Sequence, residues 1–263
     1  MVEYWGTEKE QAIQIRMRQR HLKFNQIPGW INGGRGVAFD EPDRVGWDVV
    51  QQVFELDRMV AFPLADKRES TAKIKQYLGE DIRIAAYDVY LGSPQSVLEK
   101  CKACLAASTV PDDWQLTCTA SPSDAQIDEI QHLNAAIGIS PYPAFYSRGE
   151  AVPILHACLH DNNGTLIACA SATMRYHKKS RLSGFLFAGM LSVANAHRRM
   201  GYGLMTNAAL LVKSHEAFAW RAVHQQTVDS APSQLAIMAK CGLQEETGLV
   251  SLTASDDSFT ISL

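Results

Sequence analysis

The apolar positions of this chain fall into two regimes that meet near residue 113. Beyond it the blocks are well punctuated. Residues 185–193 form a nearly continuous apolar run, the pattern of a central strand buried on both faces. Upstream, residues 153–160 and 165–176 are apolar runs flanking Asp161-Asn162-Asn163-Gly164, and Asn-Gly between such runs predicts a β-hairpin. Residues 114–119 read as a strand. Ser121-Pro122-Ser123-Asp124 then supplies a helix start, and Ile127, Ile130, Leu133 and Ile137 share one face of a helix over 125–137.

Before residue 113 the pattern is weaker. Residues 8–24 predict a helix with Ala12, Ile13, Ile15, Met17 and Leu22 among charges, and 47–59 an amphipathic helix carrying Val49, Val50, Val53, Phe54 and Leu56. A helix over 72–78 ended by Gly79, a strand over 82–90 and a helix over 96–107 follow. The breaker-rich stretch 28–36, with Gly29, Gly33, Gly34 and Gly36, is expected to be a loop. Thr109-Val110-Pro111-Asp112-Asp113 marks the expected boundary between an N-terminal α/β domain, 1–112, and a second domain, 113–263.

The 263 residues suit one large domain or two small ones, and 46% hydrophobic with 20% charged residues excludes disorder or coiled coil as the overall description. A net charge of −3 argues against broad electrostatic binding to nucleic acid or acidic membrane. The first residues carry neither a basic nor an apolar signal region. The run 185–196, interrupted by Ser192 and Asn195, falls short of the ~20 apolar residues of a membrane span. A cytoplasmic protein is expected, with no nucleic-acid or membrane partner and a homodimer possible.

Cys101-Lys-Ala-Cys104 lacks the second pair a zinc site would want, so structural thiols are expected among the six cysteines. His156 and His160 fall in a strand, where four residues span ~13 Å, too far to chelate one metal. No metal is expected.

The sharpest chemistry follows the apolar strand: Leu191, Ser192 and Val193, a short loop, then Arg198-Arg199-Met200-Gly201-Tyr202-Gly203-Leu204 opening a helix to about residue 217. The first turn of a helix leaves N–H groups unpaired at the positive end of the dipole. Glycines at 201 and 203 permit close approach of a pyrophosphate, and Arg198 and Arg199 can add charge-assisted bonds. The dinucleotide fingerprint fits worse, because Thr206 stands at its third glycine.

This segment resembles the acetyl-coenzyme A motif of the GCN5-related N-acetyltransferases (GNAT), Arg/Gln-x-x-Gly-x-Gly/Ala after a buried strand. Leu191, Val193, Arg198, Gly201 and Gly203 match, while Asn195 and His197 stand where Pro and Tyr are common. The segment order from Trp114 onward also matches that fold, with a strand over 220–228, a helix over 232–241 and a last strand over 243–252. The resemblance implies an α/β GNAT fold, a mixed, mostly antiparallel sheet flanked by helices, with the N-terminal domain added. It implies acetyl-CoA as co-substrate, held by Leu191, Ser192, Val193, Arg198, Arg199, Met200, Gly201, Tyr202, Gly203 and Leu204. Ser233, near the family's Asn position at Ala231, joins them as a contact to the pantetheine arm, with Ser230 as the alternative.

Gly242-Leu243 looks like the family's Gly-Phe, but Met238 stands where many members carry the Tyr that protonates the departing thiolate. The central strand offers no carboxylate base. His156, His160, His177 and Asp229 are the alternatives, and no catalytic residue is named. The implied activity is acetyl transfer to an amine of a small molecule or peptide. The alternatives are a CoA-binding sensor without catalysis, or transfer of a longer acyl group. The N-terminal domain, which contains no Arg-x-x-Gly-x-Gly, is expected to shape the acceptor cleft or to be a degenerate acetyltransferase-like unit. Trp30, Phe39 and Trp47 are read as core, or less readily as lining of that cleft.

Overall fold

In the computed structural model, which describes residues 2–227 and 232–256, the first half runs α1 (Glu8–Phe24), β1 (Trp30–Asn32), β2 (Val37–Phe39), α2 (Pro42–Val45), α3 (Trp47–Asp57), β3 (Met59–Asp66), α4 (Lys67–Leu78), β4 (Arg83–Gly92) and α5 (Pro94–Ala107). The second half runs β5 (Gln115–Thr119), α6 (Asp124–Ala136), α7 (Ala144–Ser147), β6 (Ile154–His160), β7 (Leu166–Thr173), β8 (Phe185–Val193), α8 (Tyr202–Phe218), β9 (Ala222–Thr227), α9 (Pro232–Lys240) and β10 (Gln244–Ser255).

All these strands join one mixed, mostly antiparallel sheet in the order β1-β2-β3-β10-β4-β9-β8-β7-β6-β5. The halves interleave: β4 from the first lies between β9 and β10 of the second. The boundary expected near residue 112 falls in the connector between α5 and β5. Two adjacent pairs are parallel, β2 with β3 and β8 with β9.

Local chemistry accounts for the elements. A Thr7–Glu10 capping box starts α1, which buries Ile13, Met17 and Phe24. Ser123 and Gln126 form the same box at α6. The β6–β7 turn closes because the Asp161 carboxylate accepts from the N–H groups of Asn163 and Thr165, at 2.9 and 2.8 Å. Gly164 takes the positive φ, 76°, and Asn163 does not. Helix α8 is covered by the sheet on one side and α5 on the other, so Ala208, Leu210 and Leu211 are all fully buried.

The stretch 28–36 is not all loop: Trp30–Asn32 is a strand paired with β2, and only its Gly33–Gly36 end turns. Tertiary packing decides this, since Trp30 stacks on Phe24 at 5.0 Å and meets Phe39 edge-on at 5.2 Å. Strand β3 carries Pro63, usually a breaker. Pro63 and Leu64 (φ 49°) skip the ladder with β10, and Arg181 satisfies their carbonyls at 3.0 and 2.7 Å. Among the described residues no helix is long and apolar enough to cross a membrane.

Candidate functional site

Strands β8 and β9 pair only over three residues, Phe185 to Phe187 against Ala222 to His224, and then part. Beyond Phe187 the β9-facing edge of β8 has no strand partner. On its other edge the ladder with β7 jumps from Ser171–Gly189 to Cys169–Ser192, so β8 bulges at Met190 and Leu191. Met190 holds φ at 56°, a conformation costly for a bulky side chain and persisting where the surroundings enforce it. Its side chain is buried in the core of the first half.

At the end of β8 the chain makes a short 3-10 turn over Asn195–His197 and then a loop with Arg199 at φ 66° and Gly201 at φ 89°. Successive backbone N–H groups in such a loop form a concave anion nest. Gly201 caps α8 without any side-chain hydrogen bond, and the first turn of α8 carries no acidic residue. The first-turn N–H groups are therefore not capped from within the chain. Gly203 serves packing as well. A Cβ there would stand 3.1 Å from Val193 Cγ2 and 3.4 Å from Ile237 Cδ1, so Leu191, Val193, Gly203 and Ile237 meet at one point. Arg198 donates from Nε to the Val193 carbonyl at 3.4 Å, Arg199 and Met200 are exposed, and Tyr202 lies 4.9 Å from Trp114. These residues fit a pyrophosphate: open N–H groups, positive charge and no competing carboxylate.

A cavity of about 340 Å³ opens where β8 and β9 part. Leu191 on β8 and Ile237 and Met238 on α9 form its wall nearest the start of α8. Its far wall comes from the first half: Arg35 and Gly36 in the β1–β2 turn, Met59 and Ala61 on β3, and Tyr87 on β4. Arg175, Gln225 and Ser251 complete it. Burial pushes the Tyr87 phenol up from its ordinary value. Glu10 is the one carboxylate on the described wall, and its Oε2 accepts from the Thr7 N–H and hydroxyl at 2.7 and 2.9 Å.

Of the residues expected at the cofactor, Leu191 alone lines the cavity itself, and residues 198–204 lie beside it. The Ser192 hydroxyl is buried and donates to Asn134 Oδ1 on α6 at 2.5 Å, leaving its backbone alone near the opening. Ser233 is exposed on the first turn of α9. Ser230, Ala231 and Asp229 lie outside the described residues. Met238 is buried on the cavity wall, in the position expected for a proton donor.

Of the histidines weighed as bases, His156 is fully buried between the Ser171 hydroxyl and the Ser147 carbonyl, at 2.8 and 2.9 Å, and burial pulls it down to about 4. His160 pairs with Glu129 at 3.2 Å, and His177 accepts from the Lys179 N–H. None of the three lines the cavity. Trp30, Phe39 and Trp47 pack in the core of the first half. Cys101 and Cys104 on α5 are free thiols donating to the carbonyls of Cys241 and Lys240. Among the described residues no group of three or more side chains could hold a metal ion.

The sequence reading did not single out Arg175, Tyr87 or Gln225, and took Arg35 only as part of a glycine-rich loop. A signal exists for two of them. Arg175 ends an apolar strand segment, and Arg35 sits in the turn between Trp30-Ile31-Asn32 and Val37-Ala38-Phe39. Tyr87 and Gln225 reach the site through strand order, which a linear pattern does not contain.

No protein-family model and no curated protein matches this chain. Solved structures do. A GCN5-related N-acetyltransferase from Kribbella flavida superposes over 93% of this chain and 96% of its own, at TM-score 0.53 and 13% identity. A tandem GNAT protein from the clavulanic acid biosynthesis pathway matches at TM-score 0.55 and 16% identity, over 83% of this chain and 74% of its own. A Drosophila protein matches at TM-score 0.54 and 13% identity, over 98% and 92%. At these identities the likeness is one of fold, and the chain has the fold of the GCN5-related N-acetyltransferases.

Proposed function

We propose that this protein transfers an acetyl group from acetyl-CoA to the amine of a small molecule or peptide. The observation that carries the reading is the coincidence, at one end of the β8–β9 opening, of an uncapped helix N-terminus flanked by Arg198 and Arg199 with the cavity beside it. The loop 198–201 and the first turn of α8 would hold the pyrophosphate, and Leu191, Val193 and Ile237 would line the path of the pantetheine arm. When bound, acetyl-CoA supplies an activated acyl group on a thiol leaving group.

The chain's own residues then have three tasks. The open edge of β8 at its bulge presents backbone groups without strand partners, a position suited to polarise a carbonyl. Tyr87 is the phenol on the described cavity wall and takes the proton-donating role that Met238 cannot. With the Glu10 carboxylate occupied by Thr7, the acceptor's proton leaves to solvent, so the amine must arrive neutral. The first half of the chain, supplying the far wall, shapes the acceptor side.

Met238 on the wall also favours a second reading, a CoA-binding module without catalysis. Incubation with labelled acetyl-CoA and a pool of amines separates the two. Label appearing in an amine product is expected. Intact CoA binding with no transfer would leave the second reading standing.

A further inference from the structure

Building on that reading of the cavity, we propose that its acceptor carries a carboxylate next to the reacting amine, as an amino acid does, and that Arg175 and Arg35 clamp it. The two guanidinium groups line one cavity and come from opposite halves of the chain. Neither is ion-paired to a carboxylate among the described residues. Arg35 donates from Nη1 to the Ser140 carbonyl at 2.8 Å and lies over the Tyr142 ring at 5.4 Å. Arg175 lies 3.8 Å above the Phe187 ring, and its Nε is buried without a hydrogen-bond partner.

A buried guanidinium donor left unpaired is costly, and a planar carboxylate is the group whose geometry matches it. The single carboxylate on the described wall, Glu10, is hydrogen-bonded to Thr7 and paired with neither arginine, so the two guanidinium groups outnumber it and the described wall carries a net positive charge toward an incoming ligand. The other orphaned atoms on the same wall complete the match. Gln225 Oε1 and Ser251 Oγ are both buried without partners. Both can accept, and an amine carries N–H groups to give them. A cavity of about 340 Å³ that must also admit the acyl group leaves room for a small acceptor.

The test measures CoA release from acetyl-CoA over a panel of the twenty L-amino acids, their α-carboxamides and their decarboxylated amines. The accepted amino acid should exceed its own amide and amine by about 10- to 100-fold in kcat/KM. Arg175→Met should erase that preference through KM, with Arg175→Lys intermediate, and calorimetric CoA affinity should persist in both. If Arg175→Met does not fold, Arg35→Gln in the β1–β2 turn is read the same way.

A second readout, thermal stabilisation by N-acetyl amino acids against their amides, does not depend on turnover. Stabilisation by the acids alone, lost in Arg175→Met, would support the carboxylate clamp even if nothing in the panel were acetylated. That outcome would count against the transferase reading only. Equal use of acids, amides and amines, or no carboxylate-dependent stabilisation, would overturn the clamp.

Discussion

The sheet contains two parallel strand pairs, β8–β9 and β2–β3, and the helix leading into each second strand begins in the same unusual way. Gly201 caps α8 at φ 89° and Gly46 caps α3 at φ 99°, both without a side-chain hydrogen bond. The next elements correspond as well: β3, α4 and β4 in the first half repeat β9, α9 and β10 in the second, and the four strands interleave as β3-β10-β4-β9. Backbone geometry alone would make both helix starts anion sites. Charge separates them. Arg198 and Arg199 precede α8, whose first turn has no acid, whereas Arg44 before α3 is paired with Glu41, Asp43 also precedes α3, and Asp48 lies in its first turn. Packing separates them too, because β8 and β9 part beyond Phe187, whereas Trp47 in the first turn of α3 stacks on Phe62 of β3. The difference teaches that the helix dipole is necessary but weak, and that local charge and free space decide whether it is used.

The comparison breaks first at Gly203. A side chain there would start 3.1 Å from Val193 and 3.4 Å from Ile237 and put a carboxylate into the apolar cluster proposed to line the pantetheine path. An unpaired charge in such a place costs several kcal/mol, so Gly203→Asp should weaken CoA binding by at least ~100-fold in calorimetry. Gly203→Ala, whose Cβ presses on Val193 without adding charge, should bind more weakly than the parent but more tightly than Gly203→Asp. The next effect concerns the far wall. Tyr87→Phe should lower kcat by roughly 100-fold with KM little changed, the scale of a lost proton donor. An unchanged kcat would return the first half to a purely structural part.

Acid should affect the halves with opposite signs. His156 in the second half is held at about 4 against an ordinary 6.5. A depressed imidazole contributes stability present above 6.5 and lost as pH falls toward 4, about 2 kcal/mol by pH 5. Asp40 and Asp57 in the first half are raised by burial, so acidification relieves them. Hydrogen exchange at pH 5 against pH 7, corrected for intrinsic rates, should show β6 and β7 losing protection while β2 and β3 do not. His156→Gln should remove the asymmetry. The smallest effect is expected at the exposed arginines: Arg198→Ala should weaken CoA binding by about 10-fold, and less at high salt.

How much of this could be read from the sequence follows the same division. In the second half, period and punctuation are local. The apolar run of β8, the Asp161–Gly164 turn and the Gly-x-Gly helix start each predict their own structure, and the structure has β8 over Phe185–Val193 as expected. In the first half, α1 is legible because a cap and an amphipathic face coincide. By contrast, β1 to β3 are short, glycine-flanked or interrupted by Pro63, and exist because Trp30, Phe39 and Phe62 pack together. The proposed cofactor side is drawn mostly from one contiguous segment, 191–204, so a linear pattern can point to it, while Ile237 joins it only through packing. The proposed acceptor side gathers Arg35, Tyr87, Arg175 and Gln225 from four distant places and depends on β4 entering between β9 and β10.

The most direct test of the comparison is backbone hydrogen exchange of the intact chain with and without saturating CoA. The account predicts new protection over 198–204 and along β8 from Met190 to Val193, with residues 41–48 unchanged. Protection at 41–48, or none at 198–204, would contradict it.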